Sequence, residues 1–600
     1  MTSIYKYGCY FFLVLILACI YQIYTNLPID RIERYHFNKD NKNIENDKEI
    51  YDYIIIGSGS SGSVLASRLS ENPKLKILLL EAGGSDCELK ILIPAMFYQL
   101  FKTSYDWSYS STKQVNSNNQ KLFIPRGKVL GGSSSLNAML YVRGSSKDYD
   151  NWEKLGHKGW GWKDVLPYFK KSQNHLNPFS KSNKDNKSIN KTNETLHGTT
   201  GKWNINSNPE TNIIQKYVYK AFKNLYKLNE IEDFNNNEYP LEGISNLEVN
   251  IKDGKRFSLA EAFLNKDVLG RKNLFVRIYA HVKRIIFDDS KRAVGVEVYY
   301  SNLNKTDTIY VSKEVILSAG AINSPQILQL SGIGDENLLK RLNINVVHAN
   351  EQVGRNLQDH PFIANMFQLN EALSMSNFDN FPNSILALLQ WLIFGIGPLS
   401  HSTIDVVAFF HSEINKKENS DWPDMQFLSI STIFRNKEKE NFNDLENGGF
   451  TVLPILLNAK SLGYVYLNTS NFMDPPLIDN NLFSVKDDFD KILEAFKKLR
   501  NLHRYDKDLN KIVKGEFYGN ETLNTDAEIE TYIKNFTALL FHPVGTCSMG
   551  TVVDDNLRVK GVTGLRVVDA SVMPIIPRAN TNAPSVMIAE KAADMILNGS

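Results

Sequence analysis

Gly57, Gly59 and Gly62 stand in the pattern G-x-G-x-x-G, directly after the apolar run Tyr51 to Ile56 and before a helically spaced stretch, Ser63 to Ser70. A dinucleotide pyrophosphate needs that setting. The first glycine permits a tight turn, the second lets backbone approach the phosphates at a helix N-terminus, and the third lets helix and strand close together. Ser60 and Ser61 lie inside the turn. Glu81, followed by Ala82, ends the next short apolar strand, Lys76 to Leu80. A carboxylate there can accept from ribose hydroxyls and disfavours the extra phosphate of NADP. A glycine turn without a ligand is the bland alternative, and the strand–turn–helix–strand context weighs against it.

A second segment, PRGKVLGGSSSLNAMLYVRGS from Pro125 to Ser145, is rich in glycine and hydroxyls yet flanked by apolar residues. Gly131, Gly132 and Ser133 could set backbone donors against a phosphate or a flavin ring. On its own the segment stays open between that reading and a surface loop. Ser133 to Ser135 lack the G-x-S-x-G context of a hydrolase elbow. Near the other end, FHPVGTCSMG carries His542, and ANTNAP carries Asn580 and Asn582. Taken alone, a histidine before proline is more often structural, and an asparagine suits a helix cap. His401 and His411 take the bland reading, and no Cys/His spacing makes a convincing metal site.

The elements that must position these residues follow from periodicity. Residues 51 to 80 read as a βαβ opening. Residues 172–200 are polar and of low complexity, and read as a surface loop or insertion. Asn273 to Tyr300 alternates like strands, Glu314 to Ser318 is strand-like, and Pro325 to Leu330 starts a helix. From about 360 to 530 the dinucleotide pattern is absent, and stretches such as Gly463 to Leu467 suggest an antiparallel sheet. The tail returns to a strand, Leu565 to Val568, and a helix, Met587 to Ile596.

Bulk properties bound the rest. The 600 residues suggest more than one domain or one large domain with insertions, and 42% hydrophobic residues can build a large core. A net charge of +2 gives no case for a nucleic-acid partner. The apolar run Tyr10 to Tyr21 after Lys6 predicts a secretory signal within 1–24, or a membrane anchor if retained, followed by a polar linker over 25–49. Sequons at Asn186, Asn190, Asn193, Asn304, Asn468, Asn520, Asn535 and Asn598 would then meet the glycosylation machinery, with the 186–193 cluster the best placed. Beyond the targeting segment only Cys87 and Cys547 remain, too few for a disulfide framework, although secretion would permit one bridge.

Five ordered motifs resemble the glucose–methanol–choline (GMC) flavoprotein oxidoreductases. They are the glycine turn, RGKVLGGSSSLNAMLYVRG from Arg126, GAINSPQILQLSGIG from Gly320, VGRNLQDHP from Val353, and the closing HPVGTCSMG and DASVMP segments. The resemblance runs from about residue 50 to the end. It implies an α/β chain. A Rossmann-like FAD-binding domain would combine 50–150, 250–350 and 540–600. A substrate domain on an antiparallel sheet flanked by helices would combine 151–249 and 351–539. FAD would be held by Gly57, Gly59, Ser60, Ser61, Gly62, Glu81, Ala82, Arg126, Val129, Gly131, Gly132, Ser133, Asn137, Val282, Asp569, Ala570, Asn580 and Thr581. Leu136 stands where some members carry a flavin-linking histidine, so noncovalent FAD is expected.

The resemblance also implies the chemistry. His542 takes the catalytic histidine position and Asn580 the second position, and His360 of QDHP is expected to fix a loop. Taking hydride from an alcohol leaves a carbonyl, so the hydroxyl proton must leave too. A base can accept that proton, an amide can hold the alkoxide, and the flavin accepts the hydride. The tail resembles insect glucose dehydrogenase-type members, which implies a sugar or other small alcohol as substrate and a quinone-like acceptor. An oxygen-using oxidase, an FAD-containing lyase and an inactive flavin-binding protein are the alternatives. Phe409, Phe410, Trp422 and Phe427 of the substrate half read as core before pocket.

Overall fold

The apolar runs flanking the glycine turn become neighbouring strands. Ile50–Ile56 pairs in parallel with Ile77–Leu80, and the helix Ser60–Leu69 joins them. Ile54, Ile55 and Leu78 to Leu80 are at most 1% exposed, as strands covered on both faces require. Each such side chain contributes roughly 1.5–3 kcal/mol of burial. The sheet continues through Leu274–Arg277 on one side and Lys305–Leu317 on the other. Lys305–Leu317 changes partner along its length. Its first half runs antiparallel to Ala293–Tyr300, and its second half runs parallel to Ile50–Ile56 and Leu565–Val567. Sequence from both ends of the chain therefore meets in one sheet.

The computed structural model describes residues 50–599 except 177–195, 208–211, 236–241, 376–381, 419, 435–446, 520 and 522, together with residues 14, 17, 18 and 21. The expected linker, the 186–193 sequons, Asn520 and all of the expected signal but those four residues lie outside the described residues. Among the described residues no helix is long and apolar enough to cross a membrane. Cys87 and Cys547 are free thiols.

The final helix, Asn582–Leu597, packs on Ser60–Leu69. Arg68 donates from Nε and Nη2 to the two oxygens of the fully buried Glu590, at 2.8 and 2.7 Å. A bidentate pair of this kind locks two helices in one register, and removing one partner would strand a buried charge.

A second sheet is antiparallel and orders Val513–Glu516, Asn365–Leu369, Gly449–Leu456, Met425–Ile430, Ile404–Phe410 and Gly243–Asn246. Its strands alternate with period two between buried faces. Val406, Ala408 and Phe410 join Phe427 and the helices Ile213–Tyr226 and Lys486–Leu499 in one core. Val407, Phe409, Leu428 and Leu453 join Met139 and Phe362 on the other face. Phe409, Phe410 and Phe427 are thus core, whereas half-buried Trp422 stacks under the Arg578 guanidinium at 3.7 Å.

Gly463–Tyr466 is antiparallel as read, in a separate small sheet with Arg355–Leu357 and Leu477–Asp479. Two readings of the sequence need correction. The helix expected from Pro325 begins at Gly320, with Pro325 inside its second turn. Proline has no N–H for the Ala321 carbonyl, which accepts instead from Thr546 Oγ1 at 2.6 Å. The polar stretch 172–200 is not all surface loop. Gln173–His175 pairs with Trp203–Ser207, and Gln173, His175 and His197 are buried. Their polarity is satisfied internally. His175 Nε2 lies 2.6 Å from Glu248, His197 Nε2 lies 2.8 Å from Asp233, and Arg143 reaches Gln173. His175, His197 and Glu248 form a buried trio that the sequence spacing did not reveal.

Candidate active site

The parallel strands end at one cavity of about 1140 Å³, lined by Ile56, Leu80, Ser318 and Asp569 just at or beyond those ends. Ligands of open parallel sheets bind at that edge. The glycine turn shapes its floor. Gly57 has φ +94° and would bring a Cβ within 2.5 Å of the Ser318 carbonyl oxygen. A Cβ on Gly62 would sit 1.9 Å from the Gly57 carbonyl oxygen. Gly62 therefore serves helix–strand packing and does not line the cavity. Gly59 caps Ser60–Leu69 with no side-chain cap bond, so the first N–H groups of that helix are left for an anion.

The second glycine segment closes the cradle. Gly132, at φ +53°, lies so near the turn that a Cβ would come within 2.6 Å of Gly59 Cα. Ser133 Oγ accepts from Arg126 Nε and from Gly127 N, both at 3.1 Å. Asn137 Oδ1 accepts from Met139 N and Arg256 Nη1. Gly57, Gly59, Ser60, Ser61, Glu81, Ala82, Arg126, Gly132, Ser133, Asn137, Val282, Asp569, Ala570, Asn580 and Thr581 all line the cavity. Val129 and Gly131 do not. Val129 is fully buried and bridges to Gly84, and Gly131 donates to the Ser58 carbonyl at 3.0 Å, so both shape the loop from behind. Two backbones meeting without side chains, beside an uncapped helix start, fit a dinucleotide.

Glu81 is already engaged. One oxygen accepts from Ser58 N and Ser58 Oγ, at 2.9 and 2.7 Å, and the other from Gly83 N at 2.8 Å. Burial pushes its carboxyl above the usual range, against these bonds and Lys128. Asp569 accepts from Gly320 N and Ser324 Oγ, at 2.9 and 2.6 Å, and so ties the GAINSP helix to the tail.

His542 lines the same cavity. A short antiparallel ladder, Pro361–Phe362 against Ala538–Leu539, carries QDHP beside FHP. Asp359 staples them, with Oδ1 accepting from His360 N and His542 N at 2.7 and 2.9 Å. Phe541 takes φ +64°, a strained value for a bulky residue, and its carbonyl accepts from Arg126 Nη1 at 2.7 Å. The strain swings the imidazole into the cavity. His542 Nδ1 lies 3.1 Å from His360 Nδ1, and His542 Nε2 lies 3.2 Å from Asn580 Nδ2. His360 does more than fix a loop, because its ring orients the other histidine.

The pairing decides the tautomer. An amide N–H can only donate, so His542 Nε2 carries the lone pair. His542 Nδ1–H then donates to His360 Nδ1, and His360 keeps its own proton on Nε2. Burial, with His360 and Arg126, holds His542 well below the ordinary histidine range, and burial brings His360 to about 3. Both rings are neutral. Asn580 and Asn582 separate cleanly. Asn580 meets His542, whereas Asn582 Oδ1 accepts from Ser60 Oγ at 2.6 Å and joins the two helix starts.

Burial raises Asp359 to about 7, outweighing its backbone bonds and Arg126. The unfolded value is about 3.9. Folding therefore favours the protonated acid. The stability this confers is complete below the unfolded value and is lost as pH rises through the folded one. Asp359→Asn mimics the neutral acid. Its melting temperature is expected to gain on the wild type between about pH 4 and about pH 7. Paired thermal melts check this, and a difference that does not move with pH would contradict it.

Models described as GMC oxidoreductase match residues 51–362 and 459–589. The chain is 37% identical to an alcohol dehydrogenase [acceptor] of Pseudomonas putida, over 91% of this chain and 96% of the relative. It is 34% identical to an oxygen-dependent choline dehydrogenase of Vibrio vulnificus, over 91% and 94%. It is also 34% identical to a glucose dehydrogenase [FAD, quinone] of Drosophila pseudoobscura pseudoobscura, over 91% and 86%. Among solved structures, pyridoxine 4-oxidase from Mesorbium loti superposes with a TM-score of 0.78 at 27% identity, covering 91% of this chain and 99% of that one.

Proposed function

The chain belongs to the GMC oxidoreductase family, an FAD-dependent family acting on CH–OH groups, and from that footing we propose that it oxidises an alcohol with His542 as base. One observation carries the reading. The unprotonated Nε2 of His542 and the amide of Asn580 meet at 3.2 Å on the wall of the cavity that also receives the glycine turn. A hydroxyl seated there gives its proton to Nε2 while Asn580 Nδ2 donates to the oxygen as charge develops. FAD, noncovalently held along the cradle, supplies the hydride acceptor. Arg126 holds Phe541 and so fixes the imidazole against the substrate. Residues 50–150, 250–350 and 540–600 would form the FAD-binding part.

Electrons would pass to a quinone-like acceptor, a reading supported by the Drosophila relative's name. Exposed Asn304 and Asn468 would suit glycosylation if the N-terminal run directs secretion.

Anaerobic bleaching of the flavin by a panel of alcohols, D-glucose included, tests the oxidation. Reoxidation by a soluble quinone, faster than by oxygen, tests the acceptor. Bleaching by no alcohol, with FAD bound and reducible by dithionite, would remove the reading. Asn580→Ala is expected to slow flavin reduction about 100-fold. Single-turnover kinetics measure it, and an unchanged rate would take Asn580 out of the mechanism.

A further inference from the structure

The antiparallel sheet turns one face toward His542. Phe362, Ile404, Leu428, Ile430 and Leu453 line the cavity from strands of that sheet. Across from them Phe101, Phe123 and Phe541 pack edge to face, with centroids 5.8 to 6.4 Å apart. Polar side chains also line the cavity, Thr403, Thr432 and Thr537 among them, and Thr537 Oγ1 donates to the Ile533 carbonyl at 2.7 Å. Gln120 donates to Ser117, Lys534 and Thr537, and Lys102 lies over the Phe123 ring.

Charge is equally one-sided. Among the described residues lining the cavity, the carboxylates are Glu81 and Asp569, both at ends of the parallel sheet and both hydrogen-bonded. Asp359 is held behind His542 by backbone N–H groups. A cationic alcohol would meet Arg126 and Lys102 with no counter-ion. The apolar trend continues outward. Pro398 and Leu399 line the cavity, and the preceding helix Asn383–Phe394 leaves Ile385, Leu386 and Phe394 49–69% exposed.

We propose that the substrate is an uncharged alcohol with a hydrocarbon body, in preference to a sugar or a quaternary-ammonium alcohol. The proposal rests on the reading of this cavity as an alcohol site. A sugar would leave most of its hydroxyls against Leu428, Ile430 and Leu453, unpaired and desolvated. A hydrocarbon body instead gains from every methylene the sheet face covers.

The test uses the FAD-loaded full chain and 2-methyl-2-alkanols of increasing length. These carry a hydroxyl but no hydrogen on the carbinol carbon, so they bind without being oxidised. Calorimetric Kd is expected to fall about fourfold per added methylene over the first few members. The heat-capacity change should be negative. Choline and D-glucose are expected to bind at least about 100-fold more weakly than the best alkanol. Leu428→Gln should weaken the longest alkanol about tenfold and the shortest little. A Kd independent of chain length, or tighter binding of glucose or choline, would overturn the proposal. Flavin bleaching by matching primary alcohols is read separately. Tight alkanol binding without bleaching would remove the oxidation reading and uphold the pocket's chemistry.

Discussion

His542→Ala is expected to slow flavin reduction by alcohol about a thousandfold while FAD stays bound. Burial, His360 and Arg126 keep the imidazole neutral, and Asn580 and His360 fix its lone pair toward the cavity. Such a base is ready before substrate arrives and needs no proton loss first. The substitution removes the proton acceptor and leaves the alcohol to ionise unaided. FAD should remain, because the approach of the Gly132 loop to the glycine turn does not involve the imidazole. Stopped-flow reduction and the flavin-to-protein absorbance ratio report the two properties independently. A depressed pKa also keeps wild-type His542 unprotonated below the ordinary histidine value, so reduction should not fall as pH drops through about 6.5. Near-wild-type reduction in the alanine variant would sink the assigned mechanism. Loss of FAD in that variant would show that the histidine serves the cofactor instead.

Gly132→Ala should act on the cradle and strip FAD from the protein. The added Cβ would lie 2.6 Å from Gly59 Cα, a backbone atom with no rotamer to escape into. Gly132 also holds φ +53°, which an L side chain adopts only at a cost of about 1 kcal/mol. The loop or the turn must therefore shift, and either shift opens the cradle. Overpacking of this kind costs about 1–3 kcal/mol, so FAD affinity should drop about 100-fold. The FAD content of the purified variant and its dissociation on dilution measure this, with far-UV circular dichroism confirming that the fold persists. Full retention of tightly bound FAD would mean that the approach of Gly132 to Gly59 is not part of the cofactor site.

Much of this was readable without coordinates. The G-x-G-x-x-G turn lies between a strand and a helix as its spacing requires, because turn geometry and helix starts are set by residues a few positions apart. The period-two alternation of the middle region likewise became an antiparallel sheet. The alternation at Gly463–Tyr466 marked an antiparallel strand without naming its partners, Arg355–Leu357 and Leu477–Asp479. Gln173, His175 and His197 misled. Polar residues signal a surface unless they satisfy one another, and their partners Glu248, Asp233 and Arg143 are remote in sequence.

The sequence by itself determined the chemistry available: a dinucleotide turn, a histidine, an asparagine and the family these motifs mark. Tertiary structure decided how they are used. Whether Asn580 or Asn582 faces His542, that His360 orients it from 182 residues away, and that the surrounding wall is hydrocarbon all depend on the register of Pro361–Phe362 against Ala538–Leu539 and on the sheet face turned inward. Register is a cooperative result of packing many side chains at once, and a slip of one residue would turn every one of them to the other face.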